Sequence, residues 1–377
     1  MAIYSICAVT SFGMESITAQ ELKALGFDGL RIDNGKVIFS GDEEAIVRCN
    51  IWLRTADRIL IRVKEFMATD FEELFQGILS IDWGDILPHD SIMHVTGKSV
   101  RSRLFSIKDC QSVAKKAIVE AMKRRYHSSI FPETGPLYKI EVALYKDMAT
   151  INIDTSGPGL HKRGYRQDKG EAPLRETLAA GIVMLSRWSP AHVLSDPFCG
   201  SGTIPIEAAL IGKNMAPGLK RSFVSERWWQ INRKIWKEAR EDAQSKINNN
   251  NFRILASDID ERVLKTARQN ALRAGVSDFI SFQRLDFHSF QPKKDSGYII
   301  CNPPYGERMG DIKQIEEIYK RLGALYSRLE NWSLFVLSPH PDFQRLFGRQ
   351  ADRNRKIYNG KIKCYLYQYL KKQRENG

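Results

Sequence analysis

The sequence predicts an α/β protein in which small α+β units precede a doubly wound parallel sheet that finishes in an antiparallel hairpin. Three observations support this fold class. The first half mixes strand-like runs and amphipathic helices over short distances, the second half alternates short apolar runs with helical stretches, and Asn359-Gly360 joins two strand-like segments near the end.

The first ~55 residues form a compact ferredoxin-like pattern. Apolar residues recur at helical spacing from 14 to 25, and Gly26 ends that helix. The Asn34-Gly35 pair predicts a hairpin because its backbone reaches positive φ at low cost. A second helix over 42–53 leads into a strand over 57–66.

The next segment predicts a strand over 91–100, a long helix and a hairpin over 138–156. One face of the helix is apolar; it carries Ile107, Cys110, Val113, Ala117, Ile118 and Ala121. The basic residues of its opposite face and of the stretch before it are Lys98, Arg101, Arg103, Lys115, Lys116, Lys123, Arg124 and Arg125. A charged helix face of this kind is either a solvated surface or a contact for a polyanion.

Residues 157–172 break the periodicity with glycines, prolines and charges, so we interpret them as an inter-domain linker. Beyond them, five β-rich runs are separated by helical stretches, which is typical of a doubly wound parallel sheet. The closing hairpin sets this sheet apart from an all-parallel one.

The length, charge and cysteine content of the chain limit the classes of protein to which it can belong. With 377 residues the chain suits two or three domains, and its 57 basic against 44 acidic residues give a net charge of +13. Such a charge favours nucleic acid as a partner, the alternative being a solvated basic surface. The six scattered cysteines predict neither a disulfide framework nor a metal site. Without a signal-peptide pattern or a membrane-length apolar run, we expect a cytoplasmic protein.

A glycine loop follows the first strand of the second half, in the stretch VLSDPFCGSGTIPIEAALIG. The strand ends at Asp196, Gly200 and Gly202 allow close backbone approach, and a helix opens near Thr203. The loop lacks both the P-loop lysine and the third glycine of a dinucleotide fingerprint. It suits a zwitterion whose carboxylate meets loop amides while Asp196 holds an ammonium group, as in the methionine part of S-adenosylmethionine (SAM). The alternative is tight strand-to-helix packing.

Two further acidic residues stand at predicted strand ends. Asp258 is placed to accept from the hydroxyls of a ribose, whereas Asp260 is expected to cap the next helix, near Arg262. Both aspartates could instead be caps. Asp286 could accept from an adenine amino group while Phe287 covers the ring.

The stretch YIICNPPYGERMG ends the fourth strand. The side-chain oxygen of Asn302 and the carbonyl of Pro303 can accept the two N–H bonds of a flat amine, and so favour its attack on a methyl group. Pro304 makes the backbone rigid, and Tyr305 can stack on a base that has been flipped out of its strand. The plainer interpretation is a proline turn after a strand.

One basic segment carries Trp228, Trp229 and Trp236. Tryptophans among arginines and lysines could stack on RNA bases, but core packing is the commoner role of such residues.

These motifs, together with KRGYR, APLRETLAA, MAPGLKRSF, SERWW and RKIYNGKIKCYLYQY, resemble the THUMP-domain RNA methyltransferases of SAM-dependent class I. These proteins are related to the bacterial enzyme that makes N2-methylguanine in 23S ribosomal RNA, and are often labelled N6-adenine-specific DNA methylases. The resemblance implies a Rossmann-like methyltransferase domain at 157–377, a ferredoxin-like domain at 1–57 and a THUMP RNA-binding domain at 58–156.

The resemblance also implies roles for single residues. The positions that match the cofactor site are Asp196, Phe198, Gly200, Gly202, Thr203, Asp258 and Asp286, and those that match the target-amine site are Asn302, Pro303, Pro304 and Tyr305. The basic residues of the long helix would then contact RNA. Some relatives carry a second methyltransferase domain; only one fits here, so we expect only the guanine-amine activity. Two alternatives stay open: adenine N6 methylation of DNA, and a non-catalytic RNA-binding assembly factor.

Overall fold

The computed structural model describes residues 2–166, 174–305 and 312–371, and for Ile312 the backbone alone. Within these ranges the strands form two seven-stranded sheets, one in each half of the chain. The α/β fold class expected from the sequence is confirmed.

The N-terminal sheet unites the ferredoxin-like and THUMP regions. Its strands are β1 (Tyr4–Thr10), β2 (Arg31–Asp33), β3 (Lys36–Gly41), β4 (Ala56–Met67), β5 (Ile92–Val100), β6 (Leu137–Tyr145) and β7 (Met148–Asp154). They lie in the order β2-β3-β1-β4-β7-β6-β5. Every neighbouring pair is antiparallel except β5 and β6. Because β4 pairs with β1 on one side and β7 on the other, the expected boundary between residues 57 and 58 lies inside a shared strand.

Five helices pack on this sheet in the described ranges: α1 (Glu15–Ala24), α2 (Glu43–Trp52), α3 (Phe71–Leu79), α4 (Trp83–Ile86) and α5 (Ile107–Tyr126). The side chains of Asp42 and Asp70 cap α2 and α3 by accepting from backbone amides. The buried stripe of α5 consists of Cys110, Ala114, Ala117, Ile118 and Met122.

That stripe differs from the expected face of α5. The side chain of Ile107 is 43% exposed, and Val113 and Ala121 are only half-buried. Ala114 and Met122 are buried in their place because apolar positions three and four residues apart share one helix face, here centred on 114 and 118.

The C-terminal sheet has the order β10-β9-β8-β11-β12-β14-β13. Its strands are β8 (Val193–Asp196), β9 (Ile254–Asp258), β10 (Ile280–Arg284), β11 (Ser296–Cys301), β12 (Asn331–Ser338), β13 (Arg353–Asn359) and β14 (Ile362–Tyr369). The first five are parallel; β14 pairs antiparallel with β12 and with β13. The predicted terminal hairpin therefore joins the sheet through its second strand.

The helices of this half are α6 (Glu176–Ser186), α7 (Thr203–Gly212), α8 (Arg233–Ser245), α9 (Glu261–Ala274), α10 (Ile312–Ser327) and α11 (Phe343–Phe347). The basic segment before and within α8 packs on the N-terminal half. The ring of Trp228 stacks on Tyr138 with 4.6 Å between centroids, and Trp236 stacks on Phe223 at 5.1 Å. Core packing is thus the role of two of the three tryptophans, whereas Trp229 is 64% exposed.

Part of the expected linker is well packed. Arg163 and Tyr165 are buried, and the guanidinium of Arg163 donates to the carbonyls of Leu160 and Arg54. Residues 167–173, which include the rest of the linker, lie outside the described residues.

All six cysteines are free and buried, among them Cys199 and Cys301 beside the glycine loop and the Asn-Pro-Pro turn. Burial raises the pKa of both thiols. In the described parts of the chain, none of the helices has the length and apolarity that a bilayer crossing needs.

Candidate active site

Four predicted site residues meet at the carboxyl edge of the C-terminal sheet. Asp196 and Asp258 are the last residues of β8 and β9, Asn302 directly follows β11, and Asp286 lies two residues beyond β10. These four strands are adjacent and parallel, so their carboxyl ends share one edge, where open α/β sheets bind ligands.

A cleft of about 710 Å³ opens at this edge. Its walls include six of the predicted site residues or their neighbours: Phe198, Gly200, Asp258, Asp286, Phe287 and Asn302. Pro304 also lines it. The cleft thereby brings the glycine loop, both acidic strand ends and the Asn-Pro-Pro turn into one site.

The two glycines of the loop have different roles. Both have positive φ, 50° for Gly200 and 85° for Gly202. A Cβ on Gly200 would meet no atom within 4 Å, so this residue leaves room for a ligand at the cleft wall. A Cβ on Gly202 would lie 3.1 Å from the Cβ of Ala267, so its absence lets α7 pack against α9.

The carboxylate of Asp196 is buried, and none of the described residues forms an ion pair with it. The residue is 1% exposed, and its Oδ1 accepts from the backbone N–H of Phe198 at 3.1 Å. Burial, and secondarily the charge of Asp258, raise the pKa of Asp196 well above its ordinary value. A cationic ligand group beside it would restore the charged form.

Asp258 holds the glycine loop as well as lining the cleft. Its Oδ2 accepts from the backbone N–H of Gly200 and its Oδ1 from that of Asp260, each at 3.0 Å. This bond between strand end and loop was absent from the sequence prediction, because residues 200 and 258 are joined only through the fold. As expected, Asp260 caps α9 by accepting from the amide of Arg262 at 2.8 Å.

Asp286 and two phenylalanines form a further part of the cleft wall. Asp286 Oδ1 accepts from the backbone N–H of His288 at 2.9 Å and caps the short 3-10 helix Phe287–Ser289. The rings of Phe198 and Phe287 lie 4.8 Å apart and make this wall apolar. A flat ring could lie along them while its polar edge faces Asp286.

Thr203 begins α7 but does not line the cleft as the described residues form it. Its hydroxyl accepts a hydrogen bond from the guanidinium of Arg166, which also donates to the carbonyl of Leu174 at 3.2 Å. Thr203 is thus tied to Arg166 of the expected linker.

At the Asn-Pro-Pro turn, Asn302 lines the cleft and Pro303 is buried. The hydroxyl of Tyr305 donates to Asn302 Oδ1. Burial raises the pKa of Tyr305, whose ring packs against the domain core and is not among the described residues that line the cleft. Residues 306–310 of the quoted stretch lie outside the described residues.

Sequence reasoning missed the contribution of α10. Lys313, Glu317 and Arg321 line the cleft at one-turn spacing, and the guanidinium of Arg321 donates to Glu317 at 2.9 Å. The available signal was the amphipathic period that begins directly after the turn.

Both halves of the chain match the sequence patterns of known domain families. The RMKL-like methyltransferase domain matches residues 163–368, the THUMP domain residues 68–154, and the RlmL ferredoxin-like domain residues 5–60. The chain belongs to the THUMP-containing class I RNA methyltransferases.

Two curated relatives support this membership. The Bacillus subtilis (strain 168) protein named "Putative RNA methyltransferase YpsC" is 46% identical over 99% of this chain and 98% of its own length. The Legionella pneumophila protein "Ribosomal RNA large subunit methyltransferase K/L" is 31% identical over 97% of this chain. The alignment spans 52% of that protein, about half its length.

Two solved structures share the fold. A Listeria monocytogenes structure described as "a predicted N6-adenine-specific DNA methylase" is 45% identical, with a TM-score of 0.93 over 99% of this chain and 97% of that one. A structure of SMU.472, "a putative methyltransferase complexed with SAH", is 40% identical, with a TM-score of 0.94 over the whole of both chains. SAH is the product that SAM leaves after methyl transfer.

The cofactor of this methyltransferase is SAM, and its residues fit that molecule. Asp196 has no cationic partner in the described ranges, so an ammonium group could pair with it. Gly200 leaves space at the wall, and the two phenylalanines offer an apolar surface. When bound, SAM supplies an electrophilic methyl group on a sulfonium.

The predicted RNA-contact residues of this methyltransferase form two groups. Arg101 and Arg103 follow β5, while Arg124 and Arg125 end α5, which has 20 residues and so spans roughly 30 Å. Four members pair with acidic side chains: Lys98 with Glu141, Lys115 with Glu133, Lys123 with Glu120 and Arg125 with Asp85. The length of α5 therefore separates the basic residues of the stretch before the helix from those at its C-terminal end.

Proposed function

We propose that this protein methylates the exocyclic N2 amine of a guanine in 23S ribosomal RNA, using SAM. The observation that carries the proposal is the single cleft in which Asn302 and Pro304 lie with Gly200 and Asp258. An amine held at the turn would be within the same cavity as the methyl donor.

The proposed roles follow the positions of the side chains. Asp196 pairs with the ammonium group of the cofactor, Gly200 admits its carboxylate, and Asp258 accepts from the ribose while it holds the loop. Asp286 and Phe198 take the adenine. Gly202 and Thr203 act through helix α7 and its packing: a Cβ on Gly202 would lie 3.1 Å from the Cβ of Ala267, and the Thr203 hydroxyl accepts from Arg166.

At the target amine, Asn302 Oδ1 and the Pro303 carbonyl accept the two N–H bonds, Pro304 shapes the wall, and Tyr305 contacts the base or orients Asn302. In the described structure the Tyr305 hydroxyl donates to Asn302 Oδ1, which leaves that oxygen one further lone pair for the amine. Orientation of the amine toward the methyl supplies most of the catalysis.

We also propose the domain limits 1–57, 58–156 and 157–377, with 157–172 as linker, and docking of RNA through the basic residues of the THUMP region. Ribosomal RNA as the substrate would place the reaction in the cytoplasm. The similarity to the Legionella K/L methyltransferase supports ribosomal RNA, and the whole-chain match to YpsC supports RNA in general.

A second candidate is adenine N6 methylation of DNA. It is favoured by the description of the Listeria structure and by the Asn-Pro-Pro-Tyr turn, which can hold either amine. The THUMP region favours RNA over DNA as the substrate. A third candidate, a non-catalytic assembly factor, would have no need for a cleft that keeps Asn302 beside the cofactor loop.

The test is methyl transfer from labelled SAM to 23S rRNA, tRNA and duplex DNA in parallel, followed by nucleoside analysis. We expect label in N2-methylguanosine of the ribosomal RNA. Label in N6-methyladenine of DNA would overturn the proposal in favour of the second candidate, and SAM binding without label in any substrate would favour the third.

A truncated protein is unsuitable for this test. Met14 packs in the core of the C-terminal half, and the carbonyl of Arg54 accepts from the buried Arg163. Removal of residues 1–155 would therefore expose the methyltransferase core as well as delete the RNA-contact region.

A further inference from the structure

An exposed tryptophan stands between the two halves of the protein. Trp229 is 64% exposed, while its neighbour Trp228 is buried with its ring stacked on Tyr138 of β6. A large aromatic ring left in solvent beside a buried one has no part in the core, and it is a poor choice for a solvated surface.

The backbone that carries Trp229 is firmly held. The Trp228 indole N–H donates to the carbonyl of Leu137 at 3.0 Å. The Gln230 side chain accepts from the Tyr138 hydroxyl at 2.9 Å and donates to the carbonyl of Ile86. Because Trp228 and Gln230, the residues on either side, are both hydrogen-bonded, the backbone that carries the exposed indole is held in place.

Two unpaired arginines flank the ring. Arg227 and Arg233 line the same groove as Trp229. The groove has a volume of about 540 Å³, and its lining on the THUMP side consists of Pro88, Asp90 and Pro136. Within the described ranges neither arginine forms an ion pair, and both are exposed. The other acid of the groove, Glu226, is paired with Arg240.

This groove lies at the C-terminal end of α5. The Tyr126 hydroxyl of that helix donates to the carbonyls of Gly84 and Leu87, close to Ile86 and Pro88 of the groove region. The basic group Lys123, Arg124 and Arg125 therefore belongs to the same end of the molecule.

We propose that this groove binds an unpaired base of the RNA, stacked on the Trp229 indole, with Arg227 and Arg233 on the flanking phosphates. Aromatic rings between cations are how proteins bind single-stranded nucleic acid, because every base has a π-face and every nucleotide a phosphate. Asp90, which also lines the groove, can accept from a base amino group. The inference rests on the proposed RNA substrate but needs neither SAM nor methyl transfer.

The experiment measures affinity of the full-length protein for a labelled single-stranded RNA and for a fully paired duplex of the same sequence, at fixed salt. Trp229→Ala should weaken single-strand binding about tenfold, within the range known for loss of one base stack, and duplex binding less than twofold. Trp229→Phe should restore most of the affinity. Arg227→Gln with Arg233→Gln should reduce the salt dependence of single-strand binding.

Leu272→Ala is the matched control, since Leu272 is a 69% exposed apolar residue on α9 away from the groove. Equal single-strand affinity in the wild type, the Trp229→Ala variant and this control would overturn the inference and favour a protein partner for the groove. A normal SAM affinity in every variant shows that folding is intact. Because binding alone is measured, failure of guanine methylation leaves the result valid.

Discussion

Asp196 and Glu207 are both buried carboxylates of the C-terminal half, but their surroundings are opposite. Glu207 is fully buried on α7, accepts from the Tyr165 hydroxyl at 3.0 Å, and has its Oε1 3.5 Å from Arg163 Nε. Asp196, the last residue of β8, accepts one backbone N–H, and its charged neighbour is the acidic Asp258.

This contrast shows that burial of a charge does not by itself identify a binding site. The cluster around Glu207 is internally neutral and joins α7 to the linker and, through Arg163, to the backbone of Arg54. Asp196 lacks such a partner among the described residues. The first carboxylate serves architecture, and our proposal assigns the second to recognition.

The largest effect is expected at the paired site. Arg163→Met should lower the free energy of unfolding by about 3 to 5 kcal/mol, because Glu207 would keep a buried charge without its cation. Thermal or denaturant unfolding of the apo protein measures this loss. Arg328→Met, at an exposed arginine, is the control and should change stability by less than about 0.5 kcal/mol. A fully stable Arg163→Met variant would remove the basis of the comparison.

Asn302→Ala extends the comparison to a neutral acceptor of the cleft. Loss of an acceptor aimed at the reacting amine should reduce kcat about 100- to 1,000-fold, with SAM affinity within about threefold of the wild type. Single-turnover methylation and SAM titration measure the two quantities. Tyr305→Phe, which removes only the hydroxyl that donates to Asn302, should cost less than about tenfold. Full turnover by Asn302→Ala would place the amine elsewhere.

Asp196→Asn tests the unpaired carboxylate directly. We expect at least about a 30-fold loss of SAM affinity, since a charged hydrogen-bond partner of the ligand is removed. Because the raised pKa of Asp196 means that its charge destabilises the apo fold at pH 7, the variant should be as stable as the wild type or more so. Asp260→Asn, at the cap of α9, should leave SAM affinity unchanged. A destabilised Asp196→Asn variant with normal SAM affinity would assign Asp196 to architecture.

The smallest effect concerns His161 of the linker. Its Nδ1 lies 3.9 Å from Asp57 Oδ1. Burial lowers its pKa from 6.5 to about 4. Between pH 6.5 and 4 the imidazole is protonated in the unfolded chain but stays neutral in the folded protein. The free energy of unfolding therefore falls as the pH drops from 6.5 to 4. His161→Gln should lessen that fall by about 1 kcal/mol, allowing for partial solvent screening. Parallel unfolding curves at pH 7 and 4.5 check this, and identical pH dependence in both proteins would contradict it.

Much of the fold followed from local patterns. The periods of apolar residues predicted the helices α1, α2 and α5, the Asn-Gly pairs predicted both hairpin turns, and the alternation after residue 190 predicted the parallel sheet. The convergence of Asp196, Asp258, Asp286 and Asn302 was also predictable, because parallel strands bring their carboxyl ends to one edge.

Only the tertiary structure decided the partners of individual side chains. In the structure Gly200 leaves room at the cleft, whereas Gly202 allows two helices to pack. Asp258 accepts a hydrogen bond from the glycine loop. Trp228 is buried, and Trp229 is exposed. The physical reason is that local spacing determines which face of a helix or strand a residue occupies. What covers that face comes from distant sequence, as Tyr138 covers Trp228 from β6.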